Sequence, residues 1–158
     1  MPKITALIHA SNDAARLGRA LDSLRVCDQL LVVDHASSDA TAAIAREHGA
    51  TLKAAIPGVE PGAYVSDARH DWIFCLRPDE ALGEGLEASL LEWKQSDPPD
   101  GSVGYCVELW HETEHGWQPQ GRALRLVDRT KLSWPGPLPP ASGPGADLPG
   151  EIRRFRSP

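Results

Sequence analysis

This sequence has no long apolar run. Its most continuous ones, near residues 4–8, 29–34 and 71–76, are about a third of the ~20 residues a membrane-spanning helix needs. No basic n-region precedes Ile4, which argues against a secretory leader. Cysteine is scarce: Cys27, Cys75 and Cys106 are odd in number and widely spaced, with no C-x-x-C pair. That excludes a disulfide scaffold and a thiolate zinc ribbon, and predicts free thiols in a reducing cytoplasm. Basic residues are outnumbered, 16 against 22 acidic, for a formal charge of −6. Nucleic-acid surfaces need clustered Lys and Arg, so that class is excluded, while a small electropositive pocket for one nucleotide is not. No internal repeat is present.

What is there suits one globular domain: 158 residues, 41% apolar and 24% charged. Lys3 to His9 reads as a strand, closed by the Ser11-Asn12-Asp13 cluster that starts a helix. Ala14, Leu17, Leu21 and Leu24 recur on one helical face. Gln29 to Asp34 is an apolar run ending in a carboxylate, as expected of a buried parallel strand. Ser37 to Asp39 open a helix reaching His48, with Gly49 at its C′ position, and Thr51 to Ile56 reads as a third strand. Pro57-Gly58 and Pro61-Gly62 predict a loop over 57–63, with a helical turn or two over 66–70. Asp71 to Leu76 is a further strand, ending at Arg77-Pro78-Asp79-Glu80, and Leu82, Leu86, Leu90 and Trp93 mark a helix. The period then becomes two, so 103–110 and 123–127 predict antiparallel strands joined through Gly116 and Gly121. Between Pro135 and Gly150, six prolines and four glycines fill sixteen positions, which predicts an irregular tail over 135–158 after a single domain over 1–134. Arg153, Arg154 and Arg156 around Phe155 read as a solvated basic end or a small hook for a membrane or partner.

Strands alternating with helices give an α/β fold with a mainly parallel sheet and a short antiparallel C-terminal part. Ligands of such sheets bind beyond the carboxyl ends of the strands. Three ends here carry polar groups: His9 with Asn12, Asp34 with His35, and Asp79 with Glu80.

These residues resemble a known pattern. Ile4 to Arg25, with Asn12-Asp13, is similar to the opening of family 2 glycosyltransferases. Val32 to Thr41 (VVDHASSDAT) closely resembles their V-V-D-x-x-S-x-D-x-T signature, and residues 45–50 (AREHGA) the A-R-x-x-G-A that follows. Asp71-Trp72-Ile73 and Leu76-Arg77-Pro78-Asp79-Glu80 stand where that family has D-W-I and L-D-A-D-E. Tyr105 with Val107, and Leu124 to Leu126, are similar to later strands of its lipopolysaccharide-core branch. The resemblance implies the GT-A fold, a Rossmann-like three-layer sandwich. It also implies a nucleoside diphosphate sugar donor, a hydroxyl acceptor and a divalent Mg²⁺ or Mn²⁺. Carried over, it places His9, Asn12, Asp34 and His35 at the nucleotide, and Asp79, with Glu80, at the metal. A homodimer is compatible with a short sheet carrying an exposed edge.

The pattern is broken where the metal belongs. Arg77 replaces the first carboxylate of D-x-D and Pro78 its middle residue. A cation there repels a divalent ion, so either Arg77 grips the diphosphate itself or it pairs with Asp79 or Glu80 in a module that no longer catalyses transfer. No general base stands out after Trp134. Glu108, Glu112 and Glu114 are the available carboxylates, with Glu108 and Glu112 the catalytic candidates. His111 to His115 matches H-E-x-x-H, but strand character before it and Gly116 after it predict an extended segment. Four extended residues span about 13 Å, too far for one zinc.

Overall fold

The computed structural model describes residues 1–157. The chain runs through β1 (Ile4–Ala10), α1 (Ala14–Asp22), β2 (Gln29–Asp34), α2 (Thr41–Glu47), β3 (Thr51–Ala54), a 3-10 segment (Pro61–Asp67), β4 (Trp72–Cys75) and β5 (Glu80–Leu82). It continues with α3 (Glu84–Lys94), β6 (Gly104–Thr113), β7 (Gly116–Asp128) and β8 (Ala146–Arg154). All eight strands form one sheet in the order β3-β2-β1-β4-β7-β6-β8-β5. The first four pair in parallel, and β7 adds to β4 antiparallel. This is the α/β architecture that the alternation predicts.

Two cores flank the sheet. Ile4, Ala6, Ile8 and Phe74 face Leu17, Leu21, Leu86 and Leu90, so the helices gather on one side. On the other, Leu7, Leu31, Ile73 and Cys75 meet Tyr64, Trp134 and Leu138. That third layer is therefore a 3-10 turn and a loop. Side chains of a strand alternate between the faces, and near-continuous burial of β1 follows from having a core on both.

Two local expectations are corrected. The turn predicted over 66–70 forms earlier, with Pro61-Gly62 inside it. Proline suits a first helical position. A Cβ on Gly62 would lie 1.6 Å from the Trp134 carbonyl oxygen, so glycine there permits close backbone approach. Gly121 lies within β7 rather than in the hairpin turn. It has φ +83°, beside the register shift between Glu108 and Trp110.

The largest correction is the C-terminal tail. Residues 146–154 form β8, an interior strand parallel to β6 and antiparallel to β5. Cys106 pairs with Asp147 and Glu108 with Glu151, so two residues of β6 face four of β8, and Leu148-Pro149-Gly150 bulges out of the ladder. The bulge accommodates the proline, and Gly150 takes φ +99° with its Cα against the Leu86 backbone. Burial of Leu148 and Ile152 in the helix-side core supplies the driving force.

Candidate functional site

The carboxyl ends of β1, β2 and β4 border a cavity of about 390 Å³, closed on one side by Pro137 and Leu138. His9, at the end of β1, and His35, just after β2, lie within hydrogen-bond distance, Nδ1 to Nε2 at 2.8 Å. Burial, and then the neighbouring His35 charge, lower the His9 pKa to about 4. His9 is therefore neutral near pH 7, and its buried Nε2 has no hydrogen-bond partner among the described residues.

Arg77 and Asp79 line the opposite side of the cavity. Arg77 Nε and Nη2 donate to the two oxygens of Asp79 at 2.9 and 3.1 Å. Arg154 Nε, arriving from β8, donates to Asp79 Oδ2 at 3.2 Å. Arg16 of α1 brings its guanidinium to 4.0 Å from the same oxygen while also pairing with Asp13. Burial raises the Asp79 pKa, but the Arg77 hydrogen bonds and the Arg77 and Arg154 charges outweigh it, and the net shift is downward.

Glu80 is turned away. Its carboxylate is 1% exposed, forms a two-point pair with Arg125 at 2.7 and 2.9 Å, and accepts the Arg77 backbone N–H at 2.9 Å. Glu80 thus shapes the loop that presents Arg77. With Glu80 committed to Arg125 and Asp79 ringed by guanidinium groups, the residues present do not fit a divalent cation. Among the described residues no three His, Cys, Asp or Glu side chains converge on a point that could hold one.

Asn12 and Asp34 do not line the cavity. Asn12 Oδ1 accepts the Ser38 N–H at 2.8 Å, and its own N–H donates to Ser37 Oγ. Asp34 Oδ1 accepts from the Ser37 amide and hydroxyl. The Asn12 side chain ties the β1–α1 connection to the β2–α2 connection, whereas Asp34 bonds within the latter. The catalytic candidates also lie elsewhere. Glu108 accepts the Trp110 indole N–H at 2.9 Å, in a separate hollow with Trp117 and Glu151. Glu112 accepts the Arg156 N–H at 3.0 Å.

His111 is on strand β6, and His115 is in the turn that follows. His111 pairs in register with Arg154, which places it on the Asp79 side of the sheet. Burial, then the Arg154 charge, lower its pKa.

Sequence reasoning missed Arg16, Arg125 and Arg154. The Arg-rich end of the chain was visible, but as a solvated end or a small hook. Instead Arg153 pairs with Glu151, and Phe155 packs edge-on against Trp117 with Arg19 over its ring at 3.5 Å.

No protein-family model matches the sequence. An uncharacterized glycosyltransferase of Rickettsia felis is 33% identical over 113 residues, covering 69% of this chain and 40% of the relative. One of Rickettsia typhi is 30% identical over 143 residues, covering 85% of this chain and 49% of the relative. The chain thus spans less than half the length of these relatives. Among solved structures, glucosyl-3-phosphoglycerate synthase from Mycobacterium tuberculosis, in complex with Mn²⁺, UDP and glucosyl-3-phosphoglycerate, superposes with a TM-score of 0.53 at 17% identity. The match covers 72% of this chain and 46% of that one. The chain is therefore a homologue of proteins named glycosyltransferases, and its sheet is that of the GT-A fold.

Proposed function

We propose that the cavity seats a nucleoside diphosphate, with the base toward His9 and His35 and the diphosphate toward Arg77. The domain is then the donor-binding part of a family 2-type glycosyltransferase that moves a sugar to a hydroxyl acceptor. The observation that carries this reading is the shared cavity itself, where three parallel strand ends meet, as ligand sites of such sheets do. The two imidazoles, tilted by 45° to one another, offer a ring face and hydrogen-bonding groups to a base. The guanidinium groups opposite offer planar donors to phosphate oxygens. The likeness to a synthase bound to UDP and Mn²⁺ supports the class of ligand.

A second reading, binding without transfer, is favoured by one specific feature. The Glu108 and Glu112 carboxylates bond Trp110 and Arg156 away from the cavity, so neither is placed to deprotonate an acceptor.

Hydrogen exchange with and without UDP or GDP tests the site. Slower exchange at residues 9–13, 34–38 and 76–79 is the expected result, and protection confined to any other part of the sheet refutes it. Release of UDP or GDP from the matching sugar nucleotide, followed by a coupled assay, then separates transfer from binding alone.

A further inference from the structure

The three arginines around Asp79 have a consequence for how an anion is held. We infer that Arg16, Arg77 and Arg154 form a metal-free diphosphate site and that Asp79 is its internal place-holder, an anion the ligand displaces. The inference deepens the nucleotide reading and rests on it for the identity of the ligand, though not for the existence of the anion site.

The geometry supports it in three ways. Asp79 is 6% exposed, and its two oxygens accept three charged N–H groups from two arginines, with a third guanidinium at 4.0 Å. A carboxylate so saturated has little capacity left for a divalent cation, and any cation would face three like charges. Second, the donors come from α1, from the loop after β4 and from β8, so they converge from three elements. Third, two of the three border open space: Arg77 and Arg16 line the cavity, and the Arg77 side chain is 40% exposed. The Arg77 loop is fixed from below by its backbone N–H to Glu80, which is itself locked to Arg125. The fork can therefore exchange a carboxylate for a phosphate without rebuilding the loop. Three guanidinium groups face two carboxylates, Asp13 and Asp79, leaving the cluster short of negative charge.

The decisive property is the sign of an Asp79 substitution. A metal ligand, when removed, weakens binding of a diphosphate. A place-holder, when removed, strengthens it by freeing Arg77 and Arg154 for the ligand.

Calorimetry on the chain with inorganic pyrophosphate, UDP and GDP, in EDTA and in Mn²⁺ at matched free-ligand concentration, tests this. Pyrophosphate is expected to bind in EDTA, to gain nothing from Mn²⁺ and to weaken as salt rises. Arg77→Gln is expected to weaken it about tenfold or more, the loss of a charge-assisted pair. Asp79→Asn is expected to tighten it several-fold, with circular dichroism melts confirming that each variant is folded. If Asp79→Asn does not fold, the EDTA comparison and Arg77→Gln still decide. The inference is overturned if pyrophosphate binds only with Mn²⁺, if it binds in neither buffer, if Arg77→Gln leaves its affinity unchanged, or if a folded Asp79→Asn binds no tighter. Two outcomes separate it from the nucleotide reading. Pyrophosphate bound in EDTA, with UDP and GDP no tighter, keeps the anion site and removes the nucleotide. Nucleoside diphosphate bound only with Mn²⁺ does the reverse.

Discussion

Glu80 and Arg125 are joined by two parallel hydrogen bonds inside the sheet, with side chains 1% and 4% exposed. Arg125 Nη1 also donates to the Cys75 carbonyl at 3.2 Å, so one side chain ties β4, β5 and β7 together. Removing either partner leaves a buried charge without its counter-ion. Arg125→Met is expected to cost about 3–5 kcal/mol in urea denaturation, and the double variant Glu80→Leu/Arg125→Met less than Arg125→Met alone. Equal losses in the two would deny the coupling.

Acidification is expected to destabilise the protein before its carboxylates titrate. The folded His9 pKa is lowered from 6.5 to about 4, so the unfolded chain binds the proton first. The stability His9 contributes is fully present above pH 6.5 and is lost as pH falls toward 4. His111 contributes in the same sense. Denaturation midpoints measured from pH 7 to 4 should fall more steeply for the wild type than for His9→Gln. Parallel profiles would assign the loss elsewhere.

Gly150, the one glycine of β8, is expected to tolerate no side chain. A Cβ there would lie 2.2 Å from the Leu86 backbone nitrogen, at a φ of +99° that side chains resist. Gly101 has φ +81° and nothing within 4 Å, so Gly101→Ala costs only about 1 kcal/mol of backbone strain. Gly150→Ala should lower the melting temperature several times more, and equal shifts would mean that β8 is not seated against α3.

Cys75 is fully buried, and that burial pushes its thiol pKa up to about 12. Ellman's reagent at pH 8 is expected to spare Cys75 in the native protein and to modify it on unfolding in urea. Prompt native labelling of Cys75, located by mass spectrometry, would contradict the β4 packing.

The sequence made most of the parallel half of the fold legible because β1, β2 and β4 are apolar on both faces and lead into polar residues. The run Gln29 to Asp34 is a strand with those very limits, and Gly49 at φ +75° ends α2 where the C′ position falls. It made the crevice legible too, since His9, His35, Arg77 and Asp79 all border one cavity. The family resemblance puts Asp34, a carboxylate closing a parallel strand, at the nucleotide. What linear order does not encode is that Ser37, three residues on, captures it. Arg154 escaped for the opposite reason. Its partner is 75 residues away, and the Pro149-Gly150 pair that hides its strand is absorbed in a bulge whose register depends on β6. Local periodicity cannot report a pairing fixed by a distant neighbour.

β8 is the last strand in the chain, yet it fills an interior slot of the sheet and connects β5 to the rest. Pairing segments so far apart carries a loop-closure entropy cost. The third guanidinium group around Asp79 is thus in place only when β8 is seated between β6 and β5. A chain with β8 undocked would keep the imidazole pair, Arg16 and Arg77 but lose Arg154 from the cluster, so anion affinity reports whether that strand is seated.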